Sequence, residues 1–150
     1  MGPRYQPVEG IGSFLTGTPP ILGLAAVDAA VSVTGRAGVD NLWAKSQSLT
    51  AMMTDLIVER LVPAGAALAS PRRPESRGAH VSVSHPAAWG WCSALIERRL
   101  VTGDFRAPDV LRLGPAPLYT RFVDAYDAVV RSAEVLADGG FEAAERPRVT

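Results

Sequence analysis

The pattern of apolar and polar positions predicts four α-helices. The first runs from Pro20 to near Gly35 and is apolar on nearly every side, which is typical of a helix buried by neighbours on several faces. The second begins at Gly38 and has the clearest helical spacing of the four. The third covers residues 88–100, and the last covers about 120–137. The chain therefore begins with two long helices and closes with another.

Two of these helices carry apolar residues at the three- and four-residue steps that define one packed face. In the second helix the repeating positions are Leu42, Leu49, Met53 and Leu56, flanked by Val39, Trp43, Met52 and Ile57. In the last helix the predicted face consists of Phe122, Tyr126, Val129, Ala133 and Leu136. Each set predicts a helix that packs one side against a core.

Short alternating or apolar segments between the helices predict β-strands. They lie near residues 66–70, 80–85, 100–103 and 109–113. Together the elements predict an α+β fold, in which helices pack on a small, mostly antiparallel sheet. We expect residues 1–13 to be an irregular lead-in, 14–138 to form one domain, and 139–150 to be a polar tail.

Composition and charge narrow the class of protein. A chain of 150 residues, 47% of them hydrophobic, can bury the core of one globular domain. Lys+Arg and Asp+Glu both number 15, which argues against a charge-driven partner such as nucleic acid or an anionic membrane. The apolar runs fall short of the ~18 residues of a membrane span, and the first residues lack a signal-peptide pattern. The expected location is cytoplasmic.

Several reactive side chains are better explained as structural. His80 and His85 lie five positions apart on a predicted strand, which directs them to opposite faces and prevents them from sharing a metal. Ser82 and Ser84 lie beside them without a GxSxG motif, which argues against a serine hydrolase. Cys92 is the single cysteine and falls in an apolar helical stretch, so we expect a core residue and no metal site.

Arg112 is a candidate binding residue. It stands between Leu111 and Leu113 on a predicted strand, so the leucines face one side of the sheet and Arg112 faces the other, beside Val110. A guanidinium fixed in this way could hold a carboxylate through two hydrogen bonds. The alternative is an arginine on the solvent-exposed face of an edge strand.

A second candidate is the turn before the first helix. Pro19 disfavours helical geometry at Thr18, and Pro19 and Pro20 suit the first helical turn, where backbone donors are spare. The amides of Gly17 and Thr18 and the Thr18 hydroxyl are then available to an anion. Helix capping explains the same residues equally well.

Four stretches in this order resemble the C-terminal part of kynureninase, from about residue 14 to residue 136. They read GTPPILGLAAVDAAVSV, AGVDNLWAKSQSLTAMM, RGAHVSVSHP and GDFRAPDVLRLGPAPLYTRFVDAYDAV. Kynureninases are homodimeric pyridoxal-phosphate enzymes of the aspartate aminotransferase superfamily. They hydrolyse L-kynurenine, or its 3-hydroxy form, to anthranilate, or 3-hydroxyanthranilate, and L-alanine in tryptophan catabolism.

The resemblance implies roles for three residues. Arg112 corresponds to the arginine that holds the α-carboxylate of the substrate. Thr18 corresponds to the residue that reaches across the dimer to the cofactor phosphate of the neighbouring subunit, and Gly17 shapes that turn. In the family, the lysine that carries the cofactor lies in a large domain upstream of GTPP, whereas Lys45, the single lysine here, matches a different position. We therefore expect this chain to be inactive without a large domain.

Two other functions remain open at this point. A cysteine-desulfurase-like enzyme of the same superfamily would need a reactive cysteine in a loop, and Cys92 is predicted to be helical. A non-catalytic dimerisation or binding module would have to be stable by itself, but the apolar first helix would leave an exposed patch.

Overall fold

The structure, a computed structural model, describes residues 6–15 and 17–141. The chain divides into two compact units, Met1–Gly38 and Val39–Thr150, and each is described by itself. The lead-in predicted for residues 1–13 is described from residue 6, and of the predicted polar tail only residues 139–141 are described.

The described residues of the first unit form a 3₁₀ turn at Gly10–Phe14 and a long helix, α1, at Ile21–Ala37. The two prolines lie just before α1 and not within its first turn as predicted. Pro20 is the N-cap: its backbone is extended, and its carbonyl accepts a 2.9 Å hydrogen bond from the Leu24 amide. α1 ends at Gly38, whose φ of 80° favours glycine.

The burial predicted for α1 is not found. None of its residues is buried, and the Leu22 side chain is 88% exposed. An apolar composition indicates what a helix can pack against, but burial depends on tertiary neighbours. The prediction of a helix is confirmed, and the prediction that it is buried is wrong for this chain.

In the second unit, residues 39–141 form three α-helices and four strands, with the helices packed on the sheet. In chain order these are α2 Val39–Arg60, β1 Ala67–Leu68, β2 Val81–Ser84, α3 Ala88–Arg99, β3 Asp104–Arg106, β4 Val110–Leu113 and α4 Phe122–Asp138. A 3₁₀ turn, Pro74–Ser76, lies between β1 and β2. The strands pair in the order β1-β2-β4-β3, and every pair is antiparallel. The predicted α+β fold with helices on a small antiparallel sheet is confirmed.

The strand predicted at residues 100–103 is displaced along the sequence. Leu100 is instead the C-cap of α3, with a left-handed φ of 55°, and the strand begins at Asp104. Residues 101–103 connect the end of α3 to this strand, and pairing with β4 starts at Asp104. The sequence identified a strand in this region but placed it too early.

One face of the sheet packs against α2 and α3, and α4 packs against these two helices. Its inward residues are Val81, Val83, Leu111 and Leu113, and all are buried. The helices contribute, among others, Leu49, Met53, Ile57, Trp91, Leu95 and Val129 to the same core. Trp91 also donates a 3.3 Å hydrogen bond from Nε1 to the carbonyl of Ser132 on α4. The opposite face of the sheet is only partly buried.

The buried faces of α2 and α4 differ in part from the predicted ones. On α2 the buried residues are Ser46, Leu49, Thr50, Met53, Thr54 and Ile57. The burial of the three hydroxyl side chains among them was not predicted. The Thr50 and Thr54 hydroxyls donate to carbonyls of their own helix, which permits their burial. On α4 the small residues Ala125 and Ser132 are buried, whereas Phe122 and Tyr126 remain largely exposed.

Within the described residues, no single helix is both long and apolar enough to cross a membrane; α1 and α2 meet that length and composition only when taken together.

Candidate functional site

The outer face of the sheet carries a row of polar side chains. Side chains alternate between the faces of a strand, so the residues between the buried leucines and valines point outward. Ser82 on β2, Arg112 on β4 and Asp104 on β3 are directly opposite one another across three adjacent strands. The predicted orientation of Arg112, away from Leu111 and Leu113, is confirmed by the burial of both leucines.

Arg112 does not lie on an edge strand. β4 pairs with β2 on one side and with β3 on the other, so the edge-strand alternative is wrong. Its side chain is 33% exposed, which places it between core and solvent. Sequence pattern identified the outward orientation, but strand order is a tertiary property that the pattern does not contain.

The guanidinium of Arg112 is held by a carboxylate on the neighbouring strand. Its Nε donates a 3.0 Å hydrogen bond to Oδ2 of Asp104, and its Nη2 donates to the same oxygen. Its Nη1 makes no hydrogen bond to any part of the chain that the structure describes. Asp104 therefore occupies the Nε and Nη2 edge of the guanidinium, and Nη1 has no partner among the described residues.

Arg106 shares the same carboxylate. Its Nη2 lies 3.0 Å from Oδ2 of Asp104, so two cations meet one anion and the group carries a net positive charge. The hydrogen bond from Arg112 is the main cause that holds the pKa of Asp104 below its usual range, and the charges of Arg106, Arg112 and His80 act in the same direction. Asp104 is thus ionised at neutral pH and acts as an acceptor.

The roles of Asp104 and Arg106 were missed at the sequence level. The signal that could have identified them is the DFR spacing, because residues two apart on a strand share a face. That signal becomes visible only when β3 is correctly placed and paired with β4.

Cys92 lies inside the core beneath this face. It is on α3, its side chain is 4% exposed, and burial, with a smaller effect of the Asp104 charge, raises the pKa of its thiol. A neutral, buried thiol is a poor nucleophile. The expected core role of Cys92 agrees with this environment, and a reactive loop cysteine is not found at this position.

The two histidines flank β2 instead of lying within it. His85 Nδ1 accepts a 3.1 Å hydrogen bond from the amide of Ala87, and its ring packs edge-on at 5.8 Å from Trp91. His80 precedes β2 and is exposed. Residues 6–15 and 17–141 contain no group of three or more His, Cys, Asp or Glu side chains arranged to hold a metal ion.

Gly17 and Thr18 lie in the first unit, between the 3₁₀ turn and α1. Both are exposed, and α1 has no side-chain cap at its start, so Thr18 does not cap the helix. Among the described residues, neither their amides nor the Thr18 hydroxyl forms a hydrogen bond. A Cβ added at Gly17 would meet no atom within 4 Å. The capping alternative is therefore wrong for Thr18, and an anion site at this turn stays a prediction.

The remaining predicted residue is Lys45. It lies in the middle of α2 and is partly buried. Arg112 and Lys45 belong to the second unit, whereas Gly17 and Thr18 belong to the first.

Comparison with known proteins identifies the relatives of this chain. Residues 42–131 match the family model described as the kynureninase C-terminal domain. The chain is 39% identical to a kynureninase of Pseudomonas fluorescens over 136 residues, which cover 91% of this chain and 32% of that protein. It is 36% identical to kynureninases of Burkholderia mallei (strain SAVP1) and Burkholderia pseudomallei (strain K96243) over 145 residues, which cover 97% of this chain and 35% of each relative.

The matched segment includes most of the second unit, with Arg112, Asp104 and Arg106 inside it. The chain spans about a third of the length of the curated relatives that it matches. Because the family model covers more than half of the chain, this chain belongs to the kynureninase C-terminal domain family.

Proposed function

We propose that this chain is the C-terminal part of a cytoplasmic, pyridoxal-phosphate-dependent kynureninase. The complete enzyme would hydrolyse L-kynurenine or 3-hydroxykynurenine to L-alanine and anthranilate or 3-hydroxyanthranilate, as part of tryptophan catabolism. The proposal rests on the relatives named kynureninase and on one observation above all: a half-buried arginine with one unused side, on an interior strand.

In this proposal Arg112 binds and orients the α-carboxylate of the substrate. An ionised α-carboxylate needs a fixed cation with two parallel N–H donors, and arginine is the side chain that offers this geometry. Arg112 retains such donors at Nη1 and Nη2 although Asp104 occupies its Nε side. The net positive charge of the group with Arg106 favours one further anion.

The turn at Gly17 and Thr18 fits one part of the cofactor. Its exposed amides and hydroxyl could donate to a phosphate, and apart from its chain neighbours no described residue comes within 4 Å of a Cβ added at Gly17. In a homodimer this turn would hold the phosphate of the neighbouring subunit's cofactor. When bound, the cofactor withdraws electrons from the substrate during bond cleavage. The sequence offers Lys45 as its single lysine, at a position on α2 that we do not propose for cofactor attachment.

We further propose that a large domain completes the enzyme and that this chain alone is inactive. The relatives are about three times as long as the segment they share with this chain. The exposed apolar residues of α1, among them Leu24, Val27 and Val31, give such a domain or a second subunit a surface to cover.

A chimera tests the role of Arg112. The part of the Pseudomonas fluorescens kynureninase outside the matched segment would be joined to this chain, and anthranilate production from L-kynurenine would be measured with pyridoxal phosphate. Arg112→Lys keeps the charge but loses the planar fork, so we expect kcat/KM to fall about 10- to 100-fold. Arg73→Lys, in the loop before the 3₁₀ turn Pro74–Ser76, is the matched control and should leave kcat/KM within about threefold.

The result also separates this function from a non-catalytic module. A folded chimera that makes no anthranilate would contradict the proposal and favour a binding or dimerisation role. Equal losses in Arg112→Lys and Arg73→Lys would contradict the role of Arg112 while leaving the family assignment intact.

A further inference from the structure

We propose that Asp104 is a positioning residue for Arg112. It holds the guanidinium by its Nε and Nη2 side and leaves the Nη1 side open for the carboxylate of a ligand. The identity of that ligand as an amino-acid substrate rests on the proposed function, whereas the positioning itself concerns any small carboxylate.

The pair is built into the sheet. Asp104 on β3 is directly opposite Arg112 on β4, so the ladder of backbone hydrogen bonds fixes the separation of their Cα atoms. Just before β3, Gly103 leaves no room for a side chain, because a Cβ there would lie 2.6 Å from Cδ1 of the buried Leu111. The backbone that leads into β3 is therefore held close to β4, which keeps Asp104 beside Arg112.

Arg106 also holds the carboxylate of Asp104. It lies two residues from Asp104 on the same face of β3, with its Nη2 3.0 Å from Oδ2. Oδ2 thus accepts hydrogen bonds from Arg112 and forms an ion pair with Arg106, and Oδ1 accepts no hydrogen bond from the described residues. Arg106 limits the rotation of the carboxylate, and the carboxylate in turn limits the rotation of Arg112.

The charge balance favours positioning over competition. If Asp104 were a substitute for the ligand, it would occupy the donors that a ligand needs and neutralise them. Instead it uses the Nε side of Arg112, and the three charged side chains together keep a net positive charge. A second carboxylate can bind at Nη1 and Nη2 without displacing the first.

Two uncharged substitutions of Asp104 distinguish a positioning role from competition with the ligand. Asp104→Asn and Asp104→Ala both remove the negative charge, but only asparagine keeps an oxygen that can accept from Nε. Acetate would be titrated into the chain at constant ionic strength, and the Nε–Hε resonance of Arg112 would be followed by NMR. Glu97→Gln, on an exposed position of α3, gives the effect of removing a distant carboxylate.

We expect Asp104→Ala to bind acetate about three- to tenfold more weakly than Asp104→Asn, with faster exchange of the Arg112 Nε proton with water. Equal affinity in the two variants, or tighter binding by Asp104→Ala, would overturn the proposal, since the hydrogen bond from Nε would then contribute nothing to carboxylate binding.

The same pair of variants in the chimera connects this inference to the proposed function. Asp104→Ala should raise KM for L-kynurenine relative to Asp104→Asn more than it lowers kcat, because a misplaced guanidinium weakens substrate binding first. The acetate titration needs no turnover. An inactive chimera would therefore contradict the proposed function alone, and an acetate result against positioning would contradict this inference alone.

Discussion

The helices α1 and α4 have the same length, 17 residues, but differ in burial: α4 contributes residues to the core and α1 has no buried residue. α4 has one apolar face, and its residues Ala125, Val129 and Val135 are buried in the core of the second unit. α1 is apolar on nearly every side, yet none of its residues is buried. The second unit therefore contains what it needs to form a core, whereas α1 has an apolar surface suited to a partner.

This difference shows how far the sequence of a helix alone predicts its burial, and where burial depends on neighbouring elements. An amphipathic pattern states both that a helix will pack and which side will do so. A uniformly apolar helix states only that burial is favourable, and its partner can lie in another domain or another subunit. The following predictions test this contrast.

The same substitution in the two units should have very different effects on stability. Leu95→Ala, at a fully buried position of α3, should lower the free energy of unfolding by about 2–5 kcal/mol, because it removes apolar contacts and leaves a cavity. Leu22→Ala on α1 should change it by about 0.5 kcal/mol or less, since Leu22 is 88% exposed. Urea unfolding followed by far-UV circular dichroism measures both.

Equal decreases in the free energy of unfolding for Leu95→Ala and Leu22→Ala would contradict this difference between the helices, because α1 would then belong to the same cooperative core as α3. If Leu95→Ala proves too unstable to study, Leu49→Ala at another fully buried position provides the same test.

Charge on α1 should reduce self-association of the chain. Leu24→Glu with Val31→Glu places two carboxylates among the exposed apolar residues, so an apolar contact between copies would lose area and bury charge. Sedimentation velocity should show a shift towards monomer, with little change in the unfolding curve. Ser32→Glu, on an exposed polar position of the same helix, controls for added charge. Identical sedimentation of the double variant and the unchanged chain would contradict a contact between copies through α1.

The smallest expected effect concerns the start of α4. The side chain of Arg121, followed by its backbone amide, donates hydrogen bonds to Asp124 and lowers the pKa of that carboxyl to about 2. Because the folded-state pKa lies below the usual carboxyl value, the stabilisation is present above about pH 4 and is lost as the pH falls towards about 2.

Asp124→Asn should therefore be less stable than the unchanged chain at neutral pH, and the difference should shrink between about pH 4 and pH 2. Thermal unfolding at a series of pH values measures it. A difference that stays constant over that range would show that the charge of Asp124 does not stabilise the helix.

Local pattern predicted much of the fold. The four helices, the α+β class and the outward orientation of Arg112 all follow from spacing along the chain. The pattern failed where a tertiary relation decides the outcome. β3 was placed too early because Leu100 ends α3 in a left-handed conformation that apolar spacing does not reveal.

The candidate site was also predicted in part by local pattern and decided in part by tertiary structure. A pattern can indicate that Arg112 faces away from the core, but only the strand order β1-β2-β4-β3 brings Asp104 opposite to it. Gly17 and Thr18 were singled out as possible anion donors from the turn before the prolines, and the resemblance to kynureninases implied their role at the cofactor phosphate. Their proposed contact with a cofactor depends on a second subunit, which no pattern within one chain can supply.

We propose that this chain, a member of the kynureninase C-terminal domain family, needs a large domain for activity. The most direct measurement is to purify the chain, add pyridoxal phosphate and L-kynurenine, and follow both the cofactor absorbance and the fluorescence of anthranilate. We predict that neither changes until the remaining part of a kynureninase is supplied. Anthranilate formation by the chain alone would contradict this account and would direct attention to Lys45 or the N-terminal amine.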